Sequence, residues 1–590
     1  MKERKEVADE FKWNLSDIYN SVEDFKKHYN EVKNDIPKIL EYKGKLNKPK
    51  KLKECLDFEM KMIKSLNKLS IYTNLLFDED HSNDFADSLN QKTSDLYSEF
   101  FSKTTFVQDE IIKIKNTNKI LNDKNLKEYK FYLERILRQK EHFLSEKEES
   151  ILSQFSDTFG TSEEVYNVLK NTELKFPKIV LKSGEEIDFD ESTFRELKQS
   201  DVREDRKTAF DVFWKVYDEH KNTFTKLIFK DVRTTVISTN IRGYDSCLEK
   251  TLFSNNIDVS IYDGLVDNVS KKIPNLTKYL DYRKDVLGYD KLYYYDLSNS
   301  IIPSVKNDFS YEKAKELVLD STSILGEEYS SIMNKAFNDG WIDVYPNKYK
   351  DPGAYMQGSL YDLHPYILMN YIGKYNDVST LTHELGHAAH SYYSNKNQNF
   401  IDSQYSTFIA EIASTTNEVL LFHKMIKETE DKDFKRFLLS KFIDNFRTTV
   451  FRQTMFAEFE RYMYEIAETG DMFTADMMNK KYLELLKKYH GDSVIIDELY
   501  SNEWQFVPHF YYNFYVYQYA TSFISSVLIA QRIVDGDEDQ LEKYIELLKS
   551  GGSDYPVNLL KKSGVDLTDE KCYDTAFKAF DESIEKLIKL

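Results

Sequence analysis

The chain has little with which to staple itself covalently. Three cysteines occur in 590 residues, Cys55, Cys247 and Cys572, an odd number set far apart. That excludes a disulfide framework and a CxxC metal pair, and it predicts a reducing, cytoplasmic setting. Proline and glycine are scarce, at 10 and 18 residues, so few positions are obliged to interrupt a helix. No run of about 18 apolar residues occurs, which excludes a membrane-spanning helix and a membrane partner. The first residues, Met1-Lys-Glu-Arg-Lys-Glu, lack the apolar stretch of a signal peptide. Positive charge is in deficit, with a net charge of −19. Nucleic acid is thereby excluded as a partner, because phosphate binding needs clustered Lys and Arg. The acidic balance reads as a solvated, solubilising surface.

What is present is a folded chain, 41% hydrophobic and 31% charged, a composition that disordered chains do not have. Its length exceeds what one core organises, so two or more lobes are expected. No proline lies between Pro365 and Pro508, and apolar residues there recur mainly at intervals of three and four, as in Phe434-Lys-Arg-Phe-Leu-Leu-Ser-Lys-Phe-Ile-Asp-Asn-Phe446. That is helical periodicity. The first 150 residues share it and carry many Lys and Glu. The fold class is therefore mainly α.

Two places break the pattern. Phe176–Asp188 alternates around Ser183-Gly184, a small hairpin. Trp341–Tyr345, Ala354–Gln357 and Tyr366–Tyr371 read as short strands separated by Pro346, Gly358 and Pro365. The organisation expected is an N-terminal helical lobe over 1–200, with the hairpin near its end, and a catalytic region over 201–590. That region holds the small sheet (341–371), metal-site helices (378–425) and an aromatic helix (509–530). A strand edge beside a catalytic helix can hold an extended peptide by backbone hydrogen bonds.

The run Thr382-His-Glu-Leu-Gly-His387 carries the chemistry. It sits on an expected helix with Asp377 or Ser379 as N-cap. Residues four apart share a helix face, so His383 and His387 can offer imidazole nitrogens to one zinc ion. Glu384 then serves as general base toward the attacking water. Leu381, Leu385, Ala388 and Ala389 mark this helix as buried, where two histidines and a glutamate would be costly without partners. His390 falls off the shared face and is read as structural. Asp402, Glu411 and Glu418 are the candidates for a third ligand. Glu411 stands among small and apolar residues, where a charge wants a metal or a cation. Glu418, seven residues on, can orient a ligating histidine. Asp402 sits in a polar turn. A donor opposite the metal would accelerate carbonyl attack, and Pro508–Ala520 is the source in view, although 42 tyrosines make an aromatic core an equal reading.

The ordered set of HELGH, Ala410-Glu-Ile-Ala-Ser-Thr-Thr-Asn-Glu418, Trp13-Asn-Leu-Ser-Asp-Ile-Tyr19, Pro365-Tyr-Ile-Leu-Met-Asn-Tyr371 and Phe514-Tyr-Val-Tyr-Gln-Tyr-Ala-Thr521 resembles the oligoendopeptidase F group of the thimet-oligopeptidase-like zinc peptidases. It runs from near the N-terminus to the last quarter of the chain. The resemblance implies a two-lobed helical ellipsoid with a deep central channel, one zinc per chain, and cleavage of short unstructured peptides. It supports Glu411 as third ligand. It also implies Tyr519 as the oxyanion donor, with Tyr517 the competing assignment, Tyr512 facing substrate, and His509 near the scissile bond. The His509–Tyr512 interval is shorter than in the thimet-type branch. Gly353, Ala354 and Tyr355 would lie on the sheet edge that pairs with substrate, although Gly353 also reads as the turn after Pro352. The function expected is internal cleavage of oligopeptides. The rivals are a dipeptidyl carboxypeptidase of the same fold and a helical peptide-binding scaffold without catalysis.

Overall fold

Helices dominate the structure, a computed structural model in which residues 2–302 and 309–590 are described. The strands among them are two or three residues long. Contacts divide the chain into two units, each assembled from three separate segments. The first comprises Met1–Phe143, Asn307–Lys427 and Ser526–Asp566; the second comprises Leu144–Lys306, Glu428–Ser525 and Leu567–Leu590.

In the first unit the long helices Pro49–Asp78 and Asp84–Ile112 pack together. Their apolar residues recur at helical spacing, and Leu52, Leu56, Leu66, Leu69 and Phe100 are fully buried. Asn83 caps the second of them by accepting from the Ala86 N–H. The same core takes in Trp13 and the sheet residues Tyr366 and Leu368. The sheet has Tyr366–Leu368 at its centre, parallel to Ile342–Asp343 and antiparallel to Tyr355–Gln357. The register pairs Met356 with Ile367, and Tyr355–Gln357 is an edge strand. The centre strand is buried on both faces, and the edge strand is half-buried.

In the second unit the 39-residue helix Arg203–Ile241 is the axis. Its Arg203 and Arg206 both pair with the fully buried Asp296, an arrangement in which the carboxylate is satisfied on both oxygens. The expected hairpin forms in this unit, with Ile179 opposite Ile187. No helix among the described residues is long and apolar enough to cross a membrane.

Candidate active site

The helix Tyr375–Asn397 carries HELGH, and the helix Thr407–Glu428 carries Glu411 and Glu418. The first begins earlier than an Asp377 or Ser379 cap implies. Asp377 lies inside the first turn, and its carboxylate accepts from the N–H groups of Lys374 and Ile372 at 2.8 and 3.0 Å. Leu381, Leu385, Ala388 and Ala389 are wholly buried. The two helices approach closely at Gly386. A Cβ there would lie 2.7 Å from the Ala413 carbonyl oxygen and from Ser414 Cα. Glycine at that position lets Glu411 reach the histidines.

Glu411 Oε2 lies 3.4 Å from His383 Nε2 and 3.5 Å from His387 Nε2. Three ligands at roughly 2.0–2.1 Å around a tetrahedral zinc would stand about 3.3 Å apart, so the donor set fits such an ion. His383 Nδ1 meets Glu418 Oε1 at 2.5 Å. A carboxylate can only accept, so Nδ1 holds the proton and Nε2 is left to face a metal. Ser379 donates to the other oxygen of Glu418 at 3.1 Å, and Ser414 donates to Glu411 Oε2 at 2.9 Å.

The electrostatics without a metal are those of a tight ion pair. Burial works against the charge of His383, yet the hydrogen bond and charge of Glu418, helped by Glu384 and Glu411, push it up to about 9. Burial also opposes the charge of Glu411, but His387, His383 and Ser414 hold it down to about 2. A metal arriving here displaces a proton from His383. Glu384 is buried and stands outside the trio. Burial raises its pKa, with the two histidines pulling the other way.

The aromatic segment belongs to the second unit. It is not one helix over 509–530. Pro508–Tyr511 is a 3-10 turn, and the α-helix starts at Tyr517. Between them Asn513 and Phe514 take left-handed backbone, with φ of 48° and 56°, which costs a non-glycine residue about 1 kcal/mol or more. Buried groups hold the turn in place. Phe514 N–H donates to Glu460 at 2.6 Å, and Thr235 and Tyr464 donate to Asn513 Oδ1 at 2.9 and 2.5 Å. The result gathers His509, Tyr515 and Tyr519, with Tyr519 OH 3.4 Å from His509 Nε2. Burial, then Lys170, lowers the His509 pKa. Tyr512 is exposed, whereas Tyr517 is buried against Tyr262.

Residues 196–579 match the model of peptidase family M3, and residues 112–176 match that of Oligopeptidase F. The chain belongs to peptidase family M3. It is accordingly a metalloendopeptidase, similar throughout its length to the oligoendopeptidase F proteins. Oligopeptidase PepF of Bacillus subtilis (strain 168) is 38% identical, over all of this chain and 88% of the relative. A crystal structure from Chlamydophila abortus superposes with a TM-score of 0.93 at 32% identity, covering 99% of both chains. Oligoendopeptidase-F from Enterococcus faecium gives 0.75 at 29% identity, covering 96% of this chain and 98% of that one.

Other residues of this M3 chain fall as follows. Asp402 is outside the trio, and Asn399 donates to its carboxylate at 2.9 Å. His390 is buried and stacked on Tyr405, and burial brings it down to about 3. Gly353 donates to Asp351 and its carbonyl accepts from Asn370, so both its backbone groups are engaged as in a turn. Ala354 and Tyr355 lead into the edge strand, and the Tyr355 hydroxyl donates to Asp78. Sequence reasoning passed over Gly386, Ser414, Glu460 and Asn513. Gly386 carried a signal, since glycine inside a helix needs a packing reason. Ser414 acts within its own helix, three residues from Glu411, whereas Glu460 and Asn513 are marked only by tertiary contacts.

Proposed function

We propose that the protein is a zinc-dependent oligoendopeptidase that cuts internal bonds of short, unstructured peptides in the cytoplasm. The observation that carries the reading is the trio His383, His387 and Glu411 at ligand spacing, with Glu384 beside it, in a family M3 chain. The names of the relatives, oligopeptidase and oligoendopeptidase, support the substrate class. Three free, buried cysteines support a reducing compartment.

Zinc, when bound, supplies Lewis-acid polarisation of the scissile carbonyl and acidifies water. Glu418 fixes the His383 tautomer so that Nε2 faces the ion. Glu384 takes the proton of the attacking water and delivers it to the leaving amine. Its raised pKa suits both halves of that cycle. Tyr519 donates to the oxyanion, with His509 beside it as a second polar group. Tyr512 contacts substrate. The outer edge of Tyr355–Gln357, entered through Gly353 and Ala354, pairs with the peptide backbone.

The test is mass spectrometry of a mixed peptide pool digested by wild type, by chelator-treated protein and by Glu384→Gln. Internal cleavage should appear only with the untreated wild type, while Glu384→Gln keeps about one zinc per chain and loses roughly 10²–10⁴ in kcat. Release of C-terminal dipeptides alone would replace this reading with a dipeptidyl carboxypeptidase. Loss of metal in Glu384→Gln would make that residue a ligand and overturn its role as base.

A further inference from the structure

The second unit contains a cavity of 160 Å³ that no part of the proposed chemistry uses. About 150 Å³ is enough for a benzene-sized guest. Phe194, Trp214 and Phe506 form aromatic walls, and three cations, Lys198, Arg447 and Arg452, line it together with one carboxylate, Glu503, which accepts from Arg452, Tyr294 and Tyr482. In a chain with a net charge of −19, that concentration of positive charge calls for an explanation.

The two arginines are anchored but not exhausted. Arg447 donates to Asp444 at 3.1 Å and to the Leu297 carbonyl at 3.0 Å. Arg452 donates to Glu503 at 2.6 Å and to the Tyr294 hydroxyl at 2.9 Å. A guanidinium has five N–H donors, so each keeps spare ones. Lys198 is different. It forms no ion pair or side-chain hydrogen bond among the described residues, and burial followed by the charge of Arg452 lowers its pKa, with Glu503 pulling the other way. Trp214 is 2% exposed, and its indole N–H has no hydrogen-bond partner. An unpaired ammonium in a partly buried site and a buried orphan donor are each costly. Both residues line one cavity, and neither group finds a hydrogen-bond acceptor among the described residues.

We propose that this cavity binds a small oxyanion, a phosphate or a carboxylate, held by Lys198, Arg447 and Arg452 and capped by the Trp214 N–H. Oxygen acceptors that carry negative charge satisfy the ammonium and the indole together and use the spare guanidinium donors. The aromatic walls limit water around them, which strengthens each contact.

The experiment is calorimetric titration of the full chain with inorganic phosphate and, separately, with acetate, at ionic strength matched with chloride. Trp214 fluorescence is followed in parallel. Saturable binding of one oxyanion per chain is expected, with phosphate and acetate distinguishing the tetrahedral from the planar ligand. Lys198→Met touches no internal partner and should fold normally while weakening binding about tenfold or more, the loss of one charge-assisted hydrogen bond. The fluorescence change should vanish in Trp214→Phe. If that variant fails to fold, Lys198→Met decides alone. Absence of saturable binding to wild type, or unchanged affinity in Lys198→Met, would overturn the assignment.

Discussion

The candidate metal-binding trio and the aromatic segment reach their geometry by opposite means. In Tyr375–Asn397 and Thr407–Glu428 the backbone is regular helix, and the chemistry comes from which side chains share a face. His383 and His387 are neighbours because four residues make about one turn. In Pro508–Tyr519 the backbone leaves regular structure twice, at Asn513 and Phe514, and distant residues hold the departure in place. The helical site depends on the close approach of its two helices at Gly386. The aromatic site depends on buried hydrogen bonds from two other helices.

The sharpest test of this contrast is the third ligand. Glu411→Gln should lose most of the metal and bring activity to the level of the chelated protein, whereas Asp402→Asn should keep both; metal analysis and peptide turnover check this. The reverse outcome would break the helical reading. Next in size, Tyr519→Phe should reduce kcat about a hundredfold with little change in KM. Tyr517→Phe, buried against Tyr262, should leave kcat near wild type. A crippled Tyr517→Phe would move the donor by one alternate position. Gly386→Ala tests the distance between the helices. Its methyl meets backbone 2.7 Å away, and the expected cost is about 1–3 kcal/mol by chemical denaturation, together with weaker metal retention.

The smallest effect concerns the turn. Burial holds Glu460 up to about 8 against an ordinary 4.5, with the Phe514 N–H pulling down and Asp231 adding to the rise, and burial holds Asp231 at about 7 against 3.8. Both are therefore protonated more readily in the folded state. Their stabilising contribution is complete below the ordinary values and is lost as pH rises through 7 to 8. The Tm of wild type should fall between about pH 5 and pH 9, and Glu460→Gln should flatten that fall. An unchanged slope would remove Glu460 from the account of the turn.

Much of the first region was legible along the chain. The HELGH spacing, the buried face marked by Leu381, Leu385, Ala388 and Ala389, and the acid at Glu411 all follow from periodicity and local composition. The contact of Glu418 with His383 could be anticipated because Glu411 and Glu418 lie seven residues apart on one face. The aromatic segment was legible only as composition. Its spacing suits a continuous helix, and neither Asn513 nor Phe514 is a glycine that would announce left-handed backbone. Their conformation is set by Glu460, Tyr464 and Thr235, which lie at least 49 residues away in the chain.

Local sequence thus determined the mainly helical class, the short strands beside the HELGH helix, and the candidate ligands and base, because helix and strand periods act over a few residues. Tertiary structure decided the rest: two units each drawn from three segments, the approach of two helices at Gly386, the break before Tyr517, and the gathering of Lys198, Arg447 and Arg452 around one cavity. Those depend on contacts between residues far apart in sequence, whose pairing no local pattern encodes.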